Sequence, residues 1–321
     1  MTSITETELK FEAAKRGYRP EILEKVYRLL DLLEVFMGVP FLKDRLVLKG
    51  GTAINLFFQN ELPRLSLDID FNYIGSSERE IMLKDKPQID RVIRGLCESM
   101  QYKIDRNPQG HAGGKMVLIY QSVMSNKAQL ELDINYLYRN PLWPVEFRYS
   151  TDWPKKVGTH VLDVYELAAG KLHALLERHA ARDIFDSHRL LTEWNLDTEK
   201  LRKAFAVYAG MRQQDWKTMT IEQVNFDVED IRNKLIPVLK KSESPGTNFK
   251  EITEWANRLV FECREQLQKL LPFNDPEIAF LEALDAGNIR PEFISNDEAF
   301  CMAVRGHPLL KWKIQKKTQN V

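Results

Sequence analysis

Apolar residues recur at helical spacing over residues 20–37 and at strand spacing over residues 66–71. In the first stretch Ile22, Leu23, Val26, Leu29, Leu30, Leu33 and Phe36 share one face of an amphipathic helix. Pro20 and Glu21 suit its first turn, and Gly38 and Pro40 stop it. In the second stretch Ser66, Asp68 and Asp70 alternate strictly with Leu67, Ile69 and Phe71, which predicts a half-buried strand. Between them Leu46 to Leu48 is an apolar run of strand length, followed at once by Gly50, Gly51 and Thr52. Residues 53–59 have helical character, and Pro63 ends it.

Beyond Gly75, Ser77 is the expected N-cap of a helical stretch that Pro87 interrupts, so residues 88–100 form the better helix. Residues 102–106 read as a short strand and 107–115 as a Gly-rich turn. Residues 116–120 and 128–136 read as two strands joined by a polar turn at Ser125 and Asn126. Residues 141–154, rich in aromatics and prolines, read as the connection between halves. Helices are then expected at 163–178, 183–193, 198–209, 220–240, 249–271 and 276–286. Strands followed by helices predict an α+β chain, with a mixed-sheet domain over residues 1–150 and a mainly helical domain over 151–321.

Composition narrows the class further. Lysine plus arginine equals aspartate plus glutamate at 46 each, so any surface for nucleic acid must be local. Cys97, Cys263 and Cys301 are far apart, which argues against a zinc site and a disulfide framework and fits a reducing compartment. The first residues lack the apolar core of a signal peptide, and no apolar run approaches the ~20 residues that span a bilayer. A soluble, cytoplasmic protein is expected.

The chemistry concentrates in the strand that carries Asp68 and Asp70. Side chains two apart share a face, so Ser66, Asp68 and Asp70 point one way. Adjacent carboxylates repel unless a cation sits between them, and Mg²⁺ suits such a pair because it takes oxygen ligands and bridges to phosphates. The double glycine permits close backbone approach, and the helix behind it offers free N–H groups to an anion. Either feature alone is commonplace: a tight turn, or a solvated strand face. Together they predict a site for metal and nucleoside triphosphate, with the acids at a sheet edge facing the glycine bend. Asp133 and Glu131 compete for the place of a third acid, since their strand alternates in the same way.

Gly50-Gly51-Thr52, a spacer and Ser66-x-Asp68-x-Asp70-Phe71 resemble the signature of nucleotidyltransferases with the polymerase-beta-like fold. With Ala53 and Arg64 added, the pattern is similar to that of the AbiEii toxin family. Lys49 precedes the glycines, so this is not a Walker A loop. Downstream, Lys171-x-x-Ala174-Leu175-x-x-Arg178 and Arg182-Asp183-x-x-Asp186 are similar to later motifs of the same family. The resemblance covers about residues 20–310. It implies Asp68, Asp70 and Asp133 as metal ligands for Mg²⁺, with Mn²⁺ as the alternative ion. It implies Gly50, Gly51, Thr52, Ser66 and Lys171 around the triphosphate, and Asp186 as a further site acid. It implies a toxin of a toxin–antitoxin system for abortive infection and phage defence, with a cognate antitoxin. The toxin would transfer a nucleoside monophosphate from an NTP to RNA, at the tRNA 3′ end, and so block translation. Two other readings fit the same residues: a transferase acting on a protein or small-molecule hydroxyl, and a non-catalytic NTP-binding regulator.

Geometry constrains the second cluster. On one straight helix Lys171 and Asp186 would stand roughly 22 Å apart. If both serve one function, the chain must break near residues 179–182, with Asp183 capping the next helix and Asp186 left for the site. His173, His179 and His188 lack the i, i+4 spacing of helical metal ligands and read as structural or solvent-facing. The C-terminal Arg305, Lys311, Lys313, Lys316 and Lys317 around Trp312 fit either RNA contact or a charged tail.

Overall fold

The computed structural model describes residues 4–106, 113–151 and 153–319, without the side chains of Arg106 and of residues 317–319. Most of the expected Gly-rich turn, residues 107–112, and the side chain of Lys317 lie outside the described residues. Two compact units emerge. One comprises Met1–Arg139, Val145–Leu162 and Pro237–Ser244; the other comprises Asn140–Pro144, Asp163–Ile236 and Pro245–Val321.

The first unit begins with α1 (Glu6–Arg16), closed by a Thr5–Glu8 capping box, and α2 (Pro20–Met37), followed by the single turn α3 (Pro40–Lys43). Next come β1 (Leu46–Lys49), α4 (Gly50–Phe57), β2 (Asp68–Tyr73) and α5 (Arg79–Ser99). The strands β3 (Lys103–Arg106), β4 (Gly113–Tyr120), β5 (Ala128–Asn135), β6 (Glu146–Tyr149) and β7 (Gly158–Val161) complete a seven-stranded sheet in the order β3-β4-β5-β2-β1-β7-β6. The sheet is mixed: β2 runs antiparallel to β1 and parallel to β5. The acid-bearing strand is therefore fourth of seven, not at an edge as expected.

The alternation in β2 reads out as burial. Ile69, Phe71 and Tyr73 are fully buried, and the Tyr73 hydroxyl donates to Asp85 of α5 at 2.8 Å, so α5 covers that face. Helix α2 packs on α5 and on the sheet at β5 and β7, and its Leu23, Val26, Leu30 and Leu33 are fully buried. Asp68 and Asp70 point to the opposite face.

Several local expectations need correction. Pro87 lies inside one continuous 21-residue helix, α5, whose N-cap is Glu78, not Ser77. Pro87 is exposed, so the carbonyl it leaves unbonded can face water, while Met82, Ile89, Ile93 and Cys97 anchor the helix. Gly113 to Lys115 belong to β4, and the connection around residues 141–154 contains β6. Ser66 and Leu67 precede β2 rather than open it.

The second unit is helical: α6 (Val164–Arg178), α7 (Ala181–Thr192), α8 (Thr198–Met211), the single turn α9 (Val228–Asp230), α10 (Phe249–Leu267), α11 (Asp275–Asp285), α12 (Glu298–Gly306) and α13 (Pro308–Gln319). Residues 220–240, expected as one helix, fold as a series of short turns, with Asp227 capping one of them and Pro237 barring a continuous ladder. Helix α6 packs on α7 and α8, and α10 packs on α7. Buried Glu166 ties the segment before α6 to the bundle by accepting the N–H of Leu142 at 2.9 Å. No helix among the described residues is long and apolar enough to cross a membrane.

Candidate active site

The glycine bend is the first turn of α4. Gly50 has φ +72°, a left-handed conformation that disfavours any side chain, and a Cβ built there would stand 2.7 Å from Asp70 Oδ2. The Asp70 carboxylate thus lies against the bend. Thr52, fully buried, donates its hydroxyl to the Asp68 carbonyl and fastens the helix start to β2. Its side chain is committed to this bond, so only its backbone N–H is left to meet an anion. Asn55 continues the turn by donating to the Gly51 carbonyl at 2.8 Å. Ser66 and Arg64 are both buried, and Arg64 bridges in antiparallel fashion to Leu239 of the returning segment.

Register then builds a charged row across the sheet. Lys49 pairs with Asp70, Asp70 with Asp133, and Asp133 with Lys115. Paired residues share a face, so cation, acid, acid and cation follow one another about 4.8 Å apart. One step along, Asp68 pairs with Glu131. Lys115 Nζ reaches Glu131 Oε2 at 2.5 Å, and this carboxylate holds the ammonium above its usual range, with Asp68 and Asp70 adding to the effect. Glu131 is therefore engaged by a lysine, while Asp133 stands beside Asp70. Periodicity alone did not reveal Lys115. Its strand begins three residues earlier than expected, and only the strand's register puts it on the acidic face.

The donor set fits a divalent cation. Asp68 and Asp70 supply carboxylate oxygens on one face, and the bend leaves room that a Cβ would fill. Among the described residues no group of three His, Cys, Asp or Glu side chains is arranged to hold a metal alone. A two-carboxylate set completed by water and phosphate oxygens is the usual arrangement for Mg²⁺.

The second cluster lies in the helical unit. α6 ends at Arg178, His179 takes a left-handed conformation (φ 51°), and α7 starts at Ala181. The chain does break where the distance argument requires. The reversal brings Lys171 Nζ within 2.9 Å of Asp186 Oδ2 and 3.0 Å of Asp183 Oδ1. Asp183 does not cap α7. Its carboxylate binds Lys171 and, at 2.6 Å, Arg178 Nε. Burial would raise the Asp183 pKa, but Lys171 and Arg178 outweigh it and hold the group below the usual carboxylate range.

His173 and His188 are held by structural contacts, and His179 is exposed. His173 is fully buried, stacks on Phe205 and bonds its carbonyl at 2.8 Å; burial depresses its pKa to about 3. His188 pairs with Glu262 at 2.5 Å. Lys313 of the C-terminal helix is spent on the carbonyls of Gly210 and Arg212 that end α8.

A family model described as the nucleotidyl transferase AbiEii toxin of type IV toxin–antitoxin systems matches residues 31–285, most of the chain. No curated protein matches significantly. Among solved structures, the chain is similar to MenT4, a nucleotidyltransferase toxin from Mycobacterium tuberculosis H37Rv. The TM-score is 0.61 at 16% identity, covering 94% of this chain and 99% of that one. At that identity the likeness is one of fold.

Proposed function

This chain belongs to the AbiEii family of nucleotidyltransferase toxins, and on that premise we propose that it transfers a nucleoside monophosphate from an NTP to RNA, at the tRNA 3′ end, blocking translation. Membership of a type IV toxin–antitoxin system implies an NTP substrate and an antitoxin partner. Abortive infection as a defence against phage is the proposed biological setting.

The observation that carries the reading is the Asp70 carboxylate set against the Gly50 bend, at the start of a helix and within a row of acids. Asp68 and Asp70 are the residues proposed to hold Mg²⁺, or Mn²⁺ in its place, with Asp133 as the third acid beside them in the row; when bound, the ion supplies positive charge against the triphosphate and acidifies a neighbouring hydroxyl. Gly50, Gly51 and Thr52 offer main-chain N–H groups to phosphate oxygens, and Ser66 supports the same anion. One carboxylate accepts the proton of the acceptor hydroxyl as its oxygen bonds to the α-phosphorus and the bond to pyrophosphate breaks. Lys171 and Asp186 are proposed to be required for transfer as well.

The test is labelling of total RNA with each of the four NTPs, with and without Mg²⁺, by the wild-type protein and by Asp70→Asn. Metal-dependent label on RNA that Asp70→Asn abolishes is the expected result. Label on protein or on small hydroxyl compounds instead, or label that survives the substitution, overturns the reading.

A further inference from the structure

The chain is neutral overall, yet the sheet unit carries a strongly basic cavity. It has a volume of about 890 Å³ and opens at the far end of α4 from the glycine bend, beside the edge strand β6. Among the described lining residues are the cations Lys15, Arg16, Arg148, Lys156 and Lys240, against the carboxylate Glu61. Five positive charges line it with one negative charge, and Glu12 and Glu146 pair from outside the lining with Arg16 and Arg148, which leaves a local excess of two.

Aromatic rings alternate with these cations. Tyr18 stacks on Trp153 with ring centroids 5.8 Å apart, and Arg16 lies over the other ring system of that pair at 4.1 Å from Trp153. Arg148 lies 4.0 Å over Phe58 and Lys156 lies 5.4 Å over Tyr149. Glu146 also holds Arg148, at 2.6 Å. Tyr149 is 59% exposed, and Phe147 meets its ring edge-on with centroids 5.5 Å apart. Solvated lysines alone would need no rings, and a site for a small anion would need no platform. Rings interleaved with cations match a single strand, whose bases stack while its phosphates follow the charge.

We propose that this cavity binds single-stranded RNA, holding the acceptor strand beside the α4 helix whose first turn faces the carboxylates. The inference rests on the RNA-acceptor reading above. Helix α4 has eight residues, about 12 Å, a distance that a few nucleotides of extended strand would span.

The test is fluorescence anisotropy of a labelled twelve-nucleotide single-stranded RNA over a salt series, without NTP. The variants are Tyr149→Ala, the double variant K15A/K156A, and the control K84A/K127A, all at exposed or partly exposed side chains of the same unit. Tyr149→Ala should weaken binding by about 5- to 160-fold. K15A/K156A should lower the slope of log affinity against log salt by about 1.4. K84A/K127A should alter neither. Unchanged affinity in both cavity variants, no binding by the wild type, or competition by inorganic polyphosphate with no effect of Tyr149→Ala would overturn the proposal. RNA labelling is read separately. Labelling without cavity-dependent binding removes only this inference, and cavity-dependent binding without labelling removes only the transfer reaction.

Discussion

Replacing Gly50 with alanine perturbs the carboxylate row with a single carbon atom. At φ +72° an L residue costs about 1–2 kcal/mol, which for a chain of this size lowers the melting temperature by roughly 1.5–3 °C. The new Cβ would stand 2.7 Å from Asp70 Oδ2, whereas ordinary contact begins near 3.4 Å, so the carboxylate must retreat by 0.7 Å, the difference of the two. Misplacing a reacting group by about 1 Å costs on the order of 10²-fold in rate, so a loss of 10- to 100-fold in transfer is expected from a protein that still folds. Transfer of labelled nucleotide to RNA and thermal unfolding, measured on the same sample, separate the two effects. Gly95→Ala is the matched control. It lies inside α5 with nothing within 4 Å of the added carbon, and should gain about 0.5–1 kcal/mol with transfer unchanged. If Gly50→Ala keeps transfer within two- or threefold of wild type, the carboxylate does not depend on the bend and the reasoning fails.

Three further outcomes follow from the same geometry. Lys171→Met removes the ammonium between two buried carboxylates and should destabilise the protein by about 3–5 kcal/mol in urea unfolding. Because the Asp183 pKa is depressed in the fold, its contribution is present above the unfolded value of 3.8 and fades as pH falls; without Lys171 that fading should begin at higher pH. Glu166 behaves oppositely: burial lifts its pKa from 4.5 to about 8, so its stabilising protonated form is full below pH 4.5 and lost as pH rises through 8. Glu166→Gln should therefore flatten the stability profile between those limits, by at most roughly 5 kcal/mol, and an unchanged profile would refute the assignment. Lys115→Met removes a cation about two strand spacings from Asp70 and should tighten Mn²⁺ binding about fourfold, read by paramagnetic resonance, while Lys103→Met should leave it unchanged.

Residue order alone carried the glycine bend, the alternation that turns Asp68 and Asp70 away from the core, helix α2 to its termini, and the break between α6 and α7. Each rests on local physics: side-chain period, backbone freedom at glycine, and the length of a helical rise. The position of β2 in mid-sheet, the pairing of Asp70 with Asp133, the capture of Glu131 by Lys115 and the use of Asp183 as an ion-pair partner rather than a cap came from tertiary contacts. So did the basic aromatic cavity, assembled from residues 15, 16, 18, 57–62, 148–151, 153, 156 and 240. Strand register and the meeting of distant segments depend on which surfaces bury one another, and periodicity along a single chain does not encode that pairing.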